Sequence, residues 1–142
     1  MGCHAMAGDR EVVQSFYDFL SNPASADHAV AMQQTLAEDW TSIGDYSGAT
    51  KSREKFIGQI GGFGQLIPDM NWSVEEMLQD GNRFIVRGRA TGTPNKPLFG
   101  VDGKGKRFEI MSIDIHTVEG GRIVNTYHVE DWAGALRQLK AD

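Results

Sequence analysis

The sequence predicts one α+β domain, with helices first and an antiparallel sheet after them. Three observations lead there. Up to about Gly64 the apolar residues recur at helical spacing, and after Pro68 the period changes to two. Three turn signals then divide the second half into strand-length pieces: Asp80-Gly81-Asn82, a Pro/Gly/Lys loop from Pro94 to Lys106, and Gly120-Gly121. Helices followed by a meander, rather than alternating with strands, define α+β rather than a parallel α/β sheet. A chain of 142 residues has the length of one domain and can bury a core without staples.

The elements follow in order. Residues 1–8 read as a leader, disordered or left from expression, and Cys3 and His4 are set aside with it. From Asp9 to Ser21, Val12, Val13, Phe16, Tyr17, Phe19 and Leu20 form one apolar face; Asp9 is a candidate cap, and Asn22-Pro23 stops the helix. A second helix is expected over Ser25 to Leu36, with Ala29, Val30, Met32 and Leu36 inward. A short extended piece fits Trp40 to Ile43. A third helix starts after Ser52 and buries Phe56, Ile57, Ile60 and Phe63, although its four glycines weaken it. Strands are expected at Met70 to Gln79, Arg83 to Thr93, Arg107 to Val118 and Arg122 to Asp131. A closing helix runs from Trp132 to Leu139.

Two hairpins can be given a register. A two-residue Gly120-Gly121 turn pairs Glu119 with Arg122. Counting back sets Val118 against Ile123, His116 against Asn125, Asp114 against Tyr127 and Ile110 against Asp131. One face then carries Asp114, His116, Asn125, Tyr127, Val129 and Asp131; His128 and Glu130 fall on the other, outer face. In the earlier hairpin a three-residue Asp80-Gly81-Asn82 loop puts Trp72, Val74, Leu78, Phe84, Val86, Gly88 and Ala90 together, with Glu75 opposite Arg87. Glu76 then lies on the apolar face, as a second pocket carboxylate or as the mark of a bulge. A one-residue slip would flip every side chain beyond it.

Composition excludes several functions. The balance is mildly acidic, 19 acidic against 14 basic residues, and no Lys/Arg run offers a nucleic acid its phosphate contacts. No apolar stretch is long enough to span a membrane. One cysteine allows no intrachain disulfide and no cysteine-based metal site, and fits a reducing cytoplasm. Asp114 and His116 alone lack a third ligand at metal-binding spacing, so neither metal nor cofactor is expected. Asp102 to Lys106 resembles a phosphate loop but opens no helix.

The ordered set Pro68-Asp69, Val74-Glu75-Glu76, Gly81-Asn82-Arg83, Thr91-Gly92-Thr93, Phe99-Gly100-Val101, Ile113-Asp114-Ile115-His116, Gly121-Arg122-Ile123-Val124 and Leu136 to Leu139 resembles the SnoaL-like polyketide cyclases, within the nuclear-transport-factor-2-like superfamily. The resemblance runs from about Asp9 onward. It implies a cystatin-like α+β roll: a cone-shaped antiparallel sheet packed on N-terminal helices around an apolar pocket. It also implies an intramolecular aldol cyclisation without metal or cofactor, while relatives on this fold isomerise ketosteroids, dehydrate, or only bind. Asp131 matches the family's acid/base position and His116 a pocket histidine. Tyr127 stands where the family usually has Trp, and Gly88 where a large residue is common, so the substrate does not carry over.

The chemistry sought is a carboxylate that removes a proton beside a carbonyl and returns it to the aldol oxygen; burial in an apolar pocket raises its pKa toward neutrality. The candidates are Asp131, with Asp114 and His116, and around them Tyr127, Asn125, Tyr17, Phe16, Trp40, Trp72 and Phe63 as substrate contacts. By the expected register Asp114 lies four residues along the sheet from Asp131, roughly 13 Å at ~3.3 Å per residue, so the two would hold opposite ends of a ligand. Asp131 also precedes Trp132 and can equally cap the closing helix. Two functions remain open: an enzyme of cyclase or isomerase type acting on an apolar, carbonyl-bearing ring compound, or a noncatalytic ligand-binding or dimerisation module. The outer sheet face predicts a homodimer.

Overall fold

A computed structural model describes residues 2–142, with side chains from Gly8 onward. The expected leader, residues 1–8, lies for the most part outside the described side chains. The elements are α1 (Gly2–Ser21), α2 (Ala26–Thr35), β1 (Leu36–Ile43), β2 (Lys51–Ser52), α3 (Arg53–Leu66), β3 (Asn71–Asp80), β4 (Arg83–Gly92), β5 (Phe108–Glu119), β6 (Arg122–Glu130) and α4 (Trp132–Lys140). The six strands form one open sheet in the order β2-β1-β6-β5-β4-β3. Every neighbouring pair is antiparallel except β1 and β6, which run parallel. The sheet is therefore mixed: α2 turns directly into β1, which then joins the far side of the meander.

Local chemistry accounts for the helix ends. Ser25 caps α2, its hydroxyl accepting from the His28 amide, and Ser52 caps α3 by accepting from the Lys55 amide. Asp9 caps nothing, since α1 begins upstream of it. Leu36 opens β1 rather than closing α2, and Val30, expected inward, is exposed. The core lies between the helices and one sheet face; Phe16, Phe19, Met32, Trp40, Phe56 and Phe84 are among its buried members.

Two irregularities set which side chains reach that face. In the β3–β4 hairpin Asp80 pairs with Arg83 across a two-residue Gly81-Asn82 turn, not three. The register expected near Val74 and Gly88 nevertheless holds, because a bulge at Glu75 absorbs the extra residue. Glu76 pairs with Arg87 at 3.2 Å and Glu75 with Arg89 at 2.9 Å, which corrects the expected Glu75–Arg87 pair. Toward the tip Met77, not Leu78, is the half-buried residue.

The β5–β6 hairpin matters more. Gly120 and Gly121 both have positive φ, 59° and 77°, as a two-residue primed turn requires. Glu119 pairs with Arg122 and Val118 with Ile123, as expected. A bulge then inserts Val124, so that Thr117 meets Asn125, His116 meets Thr126, Asp114 meets His128 and Ser112 meets Glu130. Beyond Ile123 every expected β6 orientation is reversed.

Candidate active site

Laid out by register, the inner sheet face carries a band of polar residues. Lys51, Ser42, Thr126 and His116 lie across β2, β1, β6 and β5, ending at Phe84 of β4. One step along, His128 faces Asp114, followed by Val86. The next step brings Glu130, Ser112 and Gly88. Gly88 is needed as glycine, because a Cβ there would meet the Ser112 hydroxyl at 2.6 Å and the Trp72 indole nitrogen at 3.0 Å.

Above this band is a cavity of ≈ 260 Å³. Its apolar wall comes from the helices and the strand ends: Phe16, Phe56, Phe63, Trp72 and Trp132, with Phe99 at the rim. Phe63 stacks on Trp132 with ring centres 5.8 Å apart, and Phe99 meets Trp132 edge-on. Phe99 is a non-glycine residue at φ 48°, a conformation that costs energy unless its surroundings hold it. The polar wall is Ser42, Lys51, Gln59, Asp114, Thr126, His128 and Glu130.

Asp114 is 3 % exposed and lines the cavity. Its Oδ2 accepts a 2.5 Å hydrogen bond from the Tyr17 hydroxyl; its Oδ1 makes no hydrogen bond among the described residues. Behind Tyr17 the chain of bonds continues. Tyr17 lies 2.8 Å from His116 Nε2, His116 Nδ1 lies 2.9 Å from the Thr126 hydroxyl, and Trp40 Nε1 donates to that hydroxyl at 3.1 Å. One assignment of protons satisfies all five groups. Trp40 donates to Thr126, Thr126 to His116 Nδ1, His116 Nε2–H to Tyr17, and Tyr17 to Asp114.

Electrostatics fit that assignment. Burial holds His116 neutral, its pKa pushed down to about 3. Burial drives the Asp114 carboxyl up to about 7; the Tyr17 bond opposes the rise, nearby Glu130 adds to it, and His128 offsets part of it. Tyr17 is raised well above its usual range by burial and the Asp114 charge, so it stays a donor. His128 is raised, chiefly by the bond from Nδ1 to Glu130 at 2.5 Å. Glu130 also accepts from Trp132 Nε1 at 3.1 Å. The His128 ring occupies space that only glycine leaves free at position 44, where a Cβ would lie 2.9 Å from Nε2.

The structure brings together Asp114, Phe16, Trp72 and Phe63 around the cavity, as expected. Tyr17, His116 and Trp40 are buried beneath it as hydrogen-bonding support and do not line it. Three expectations are corrected by the β6 bulge. Tyr127 is 46 % exposed on the outer face. Asn125 does not line the cavity, and its Oδ1 is buried without a hydrogen-bond partner among the described residues. Asp131 is exposed and outside the cavity: its amide closes the sheet on the Met111 carbonyl, and its carboxylate caps α4 by accepting from the Gly134 amide at 2.9 Å. His128 and Glu130, expected outside, are the residues missed. They alternate with Thr126, so that three polar side chains share the face of Asp114 and His116 and find partners there, but Tyr127 and Val129 alternate as well and the period alone gave no signal.

An open six-stranded sheet covered on one face by helices is the ketosteroid-isomerase-like α+β fold. A protein of that fold from Catenulispora acidiphila superposes with a TM-score of 0.73 at 16% identity, over 93% of this chain and 94% of the other. A protein from Jannaschia sp. CCS1, described as a candidate SnoaL-like polyketide cyclase, gives 0.81 at 19% identity over 96% and 94%. IdmH of Streptomyces antibioticus, described as a candidate polyketide cyclase, gives 0.80 at 23% over 94% and 99%. The sequence model of the SnoaL-like polyketide cyclases matches residues 11–139, and the chain belongs to that family. No curated protein matches the chain in sequence. No helix of the described residues is long and apolar enough to cross a membrane.

Proposed function

We propose that this chain is an acid/base enzyme of the cyclase or isomerase type, acting on an apolar ring compound that carries carbonyl groups, with Asp114 as the acid/base. The observation that carries the reading is Asp114 itself: a carboxyl group buried at an aromatic cavity, one oxygen held by Tyr17, the other free, and its pKa drawn to about 7. Such a group exchanges protons in both directions near neutral pH. In the step envisaged, Asp114 takes the proton from a carbon beside a carbonyl, and the C–H electron pair passes into the enolate. The enolate carbon bonds to a second carbonyl carbon, and the alkoxide formed takes the proton back from Asp114. In an isomerisation the proton returns to a different carbon instead. Family membership and the descriptions of the similar structures as candidate cyclases support the reading.

The test is a thermal-shift screen of polycyclic aromatic ketones and steroids on wild type and Asp114→Asn, followed by product analysis. Binding by both proteins with turnover in wild type alone is expected. Binding without turnover in either would make the chain a noncatalytic ligand-binding module.

A further inference from the structure

One end of the cavity holds a cation that the proton chemistry does not use. Lys51 lines the wall from β2, the sheet edge, beside Ser42 of β1 and Gln59 of α3. It is half-buried, yet it forms no ion pair among the described residues. The acidic groups that share the cavity do not neutralise it. Glu130 is engaged by His128 and Trp132, and Asp114 by Tyr17. Ser42 is a buried residue that lines the cavity, and its hydroxyl makes no hydrogen bond among the described residues. A half-buried lysine without a carboxylate partner, lining the same cavity as a free hydroxyl and an amide, is suited to an anion, because a charge-assisted hydrogen bond is stronger than a neutral one.

We infer that Lys51, with Ser42 and Gln59, forms a subsite for a carboxylate on the substrate, set apart from the reacting carbon at Asp114. This rests on the function proposed above and names its substrate class more narrowly: an acidic, not a neutral, fused-ring ketone. The spacing supports it. From β2 to β5 there are three inter-strand steps, roughly 14 Å at about 4.8 Å each, part of which the Lys51 side chain bridges. What remains suits a fused-ring system rather than a single ring. The aromatic residues that line the same cavity, Phe56, Phe63 and Trp132 among them, offer a surface on which such rings can stack.

The experiment compares 9-fluorenone-4-carboxylate with its methyl ester, reading the dissociation constant from quenching of the tryptophans. Wild type is expected to bind the acid roughly tenfold or more tightly than the ester, the size of a charge-assisted bond. In Lys51→Met the preference disappears through weaker binding of the acid, with the ester unchanged; Lys51→Arg keeps the preference. A wild type that binds both probes equally, or a Lys51→Met protein that keeps the preference, would overturn the subsite and leave acid/base chemistry at Asp114 standing. Binding of neither probe would overturn both the subsite and the ring-binding cavity on which the proposed function depends.

Discussion

Tyr17, on the first helix, donates a 2.5 Å hydrogen bond to Asp114 in the fifth strand, and the same hydroxyl lies 2.8 Å from His116 Nε2. One phenol thus ties the helical layer to two residues on one face of β5. It holds one carboxyl oxygen still and leaves the other to the cavity.

The first prediction concerns this bond. If Asp114 is the base, it acts ionised, so kcat/KM should rise with pH through a midpoint near 7 and level off above it. Tyr17→Phe removes a bond that favours the carboxylate, so the midpoint should move to higher pH. A profile of the variant superimposable on wild type would refute the coupling. A purely structural role for Tyr17 would lower the rate without moving the midpoint.

Stability should carry the same group with a defined sign. Asp114 ionises near its ordinary 3.8 when unfolded and near 7 when folded. Between those values the native state keeps a proton that the unfolded state has released, so stability falls as pH rises, and the deficit is constant above about 7. Three pKa units correspond to a few kcal/mol, on the order of 4. His116 works in the opposite sense. Unfolded it binds a proton below 6.5, folded only near 3, so it costs stability as pH falls from 6.5. The two slopes oppose each other between about pH 4 and 6.5. Asp114→Asn should therefore exceed wild type in urea midpoint at pH 8.5 and lose that advantage near pH 4. An advantage independent of pH would contradict the buried ionisation.

Asp131 should behave as a cap. Asp131→Ala is expected to cost about 1 kcal/mol of stability through loss of the bond to Gly134, with turnover essentially intact. A variant of normal stability that had lost activity would restore Asp131 to the chemistry.

The outer sheet face predicts an assembly. Ile113 pairs with Val129, and Ile115 with Tyr127, and Met111, Ile113, Tyr127 and Val129 are exposed. An apolar row of this kind marks a contact surface, and a two-fold pair of copies is the commonest way to cover one. Light scattering should give twice the chain mass for wild type and a single mass for Tyr127→Asp. A monomeric wild type would leave this face without its expected partner.

The element types, the start of α3 after Ser52, the Gly120-Gly121 turn and the family were legible in the sequence, because each depends on near neighbours or on a period. So were Asp114, Phe16, Phe63 and Trp72 at the cavity, which share the apolar face of their elements. Which β6 side chains join them was not. With no bulge, Tyr127 and Val129 turn inward, the better choice for a filled core; with Val124 looped out, Thr126, His128 and Glu130 do. Local pattern cannot separate the two, since both alternate. The decision comes from contacts distant in sequence: Trp40 of β1 bonds Thr126, and His116 of β5 meets the same hydroxyl from the other side. Buried polar groups need partners, and the bulged register supplies them for Thr126 and His116. The sequence by itself thus determined the fold and set Asp114 on an inward face, but as a residue orienting substrate beside Asp131 rather than as the acid/base. The tertiary structure decided which strand face surrounds Asp114, and of the two roles the sequence allowed Asp131 it shows the helix cap.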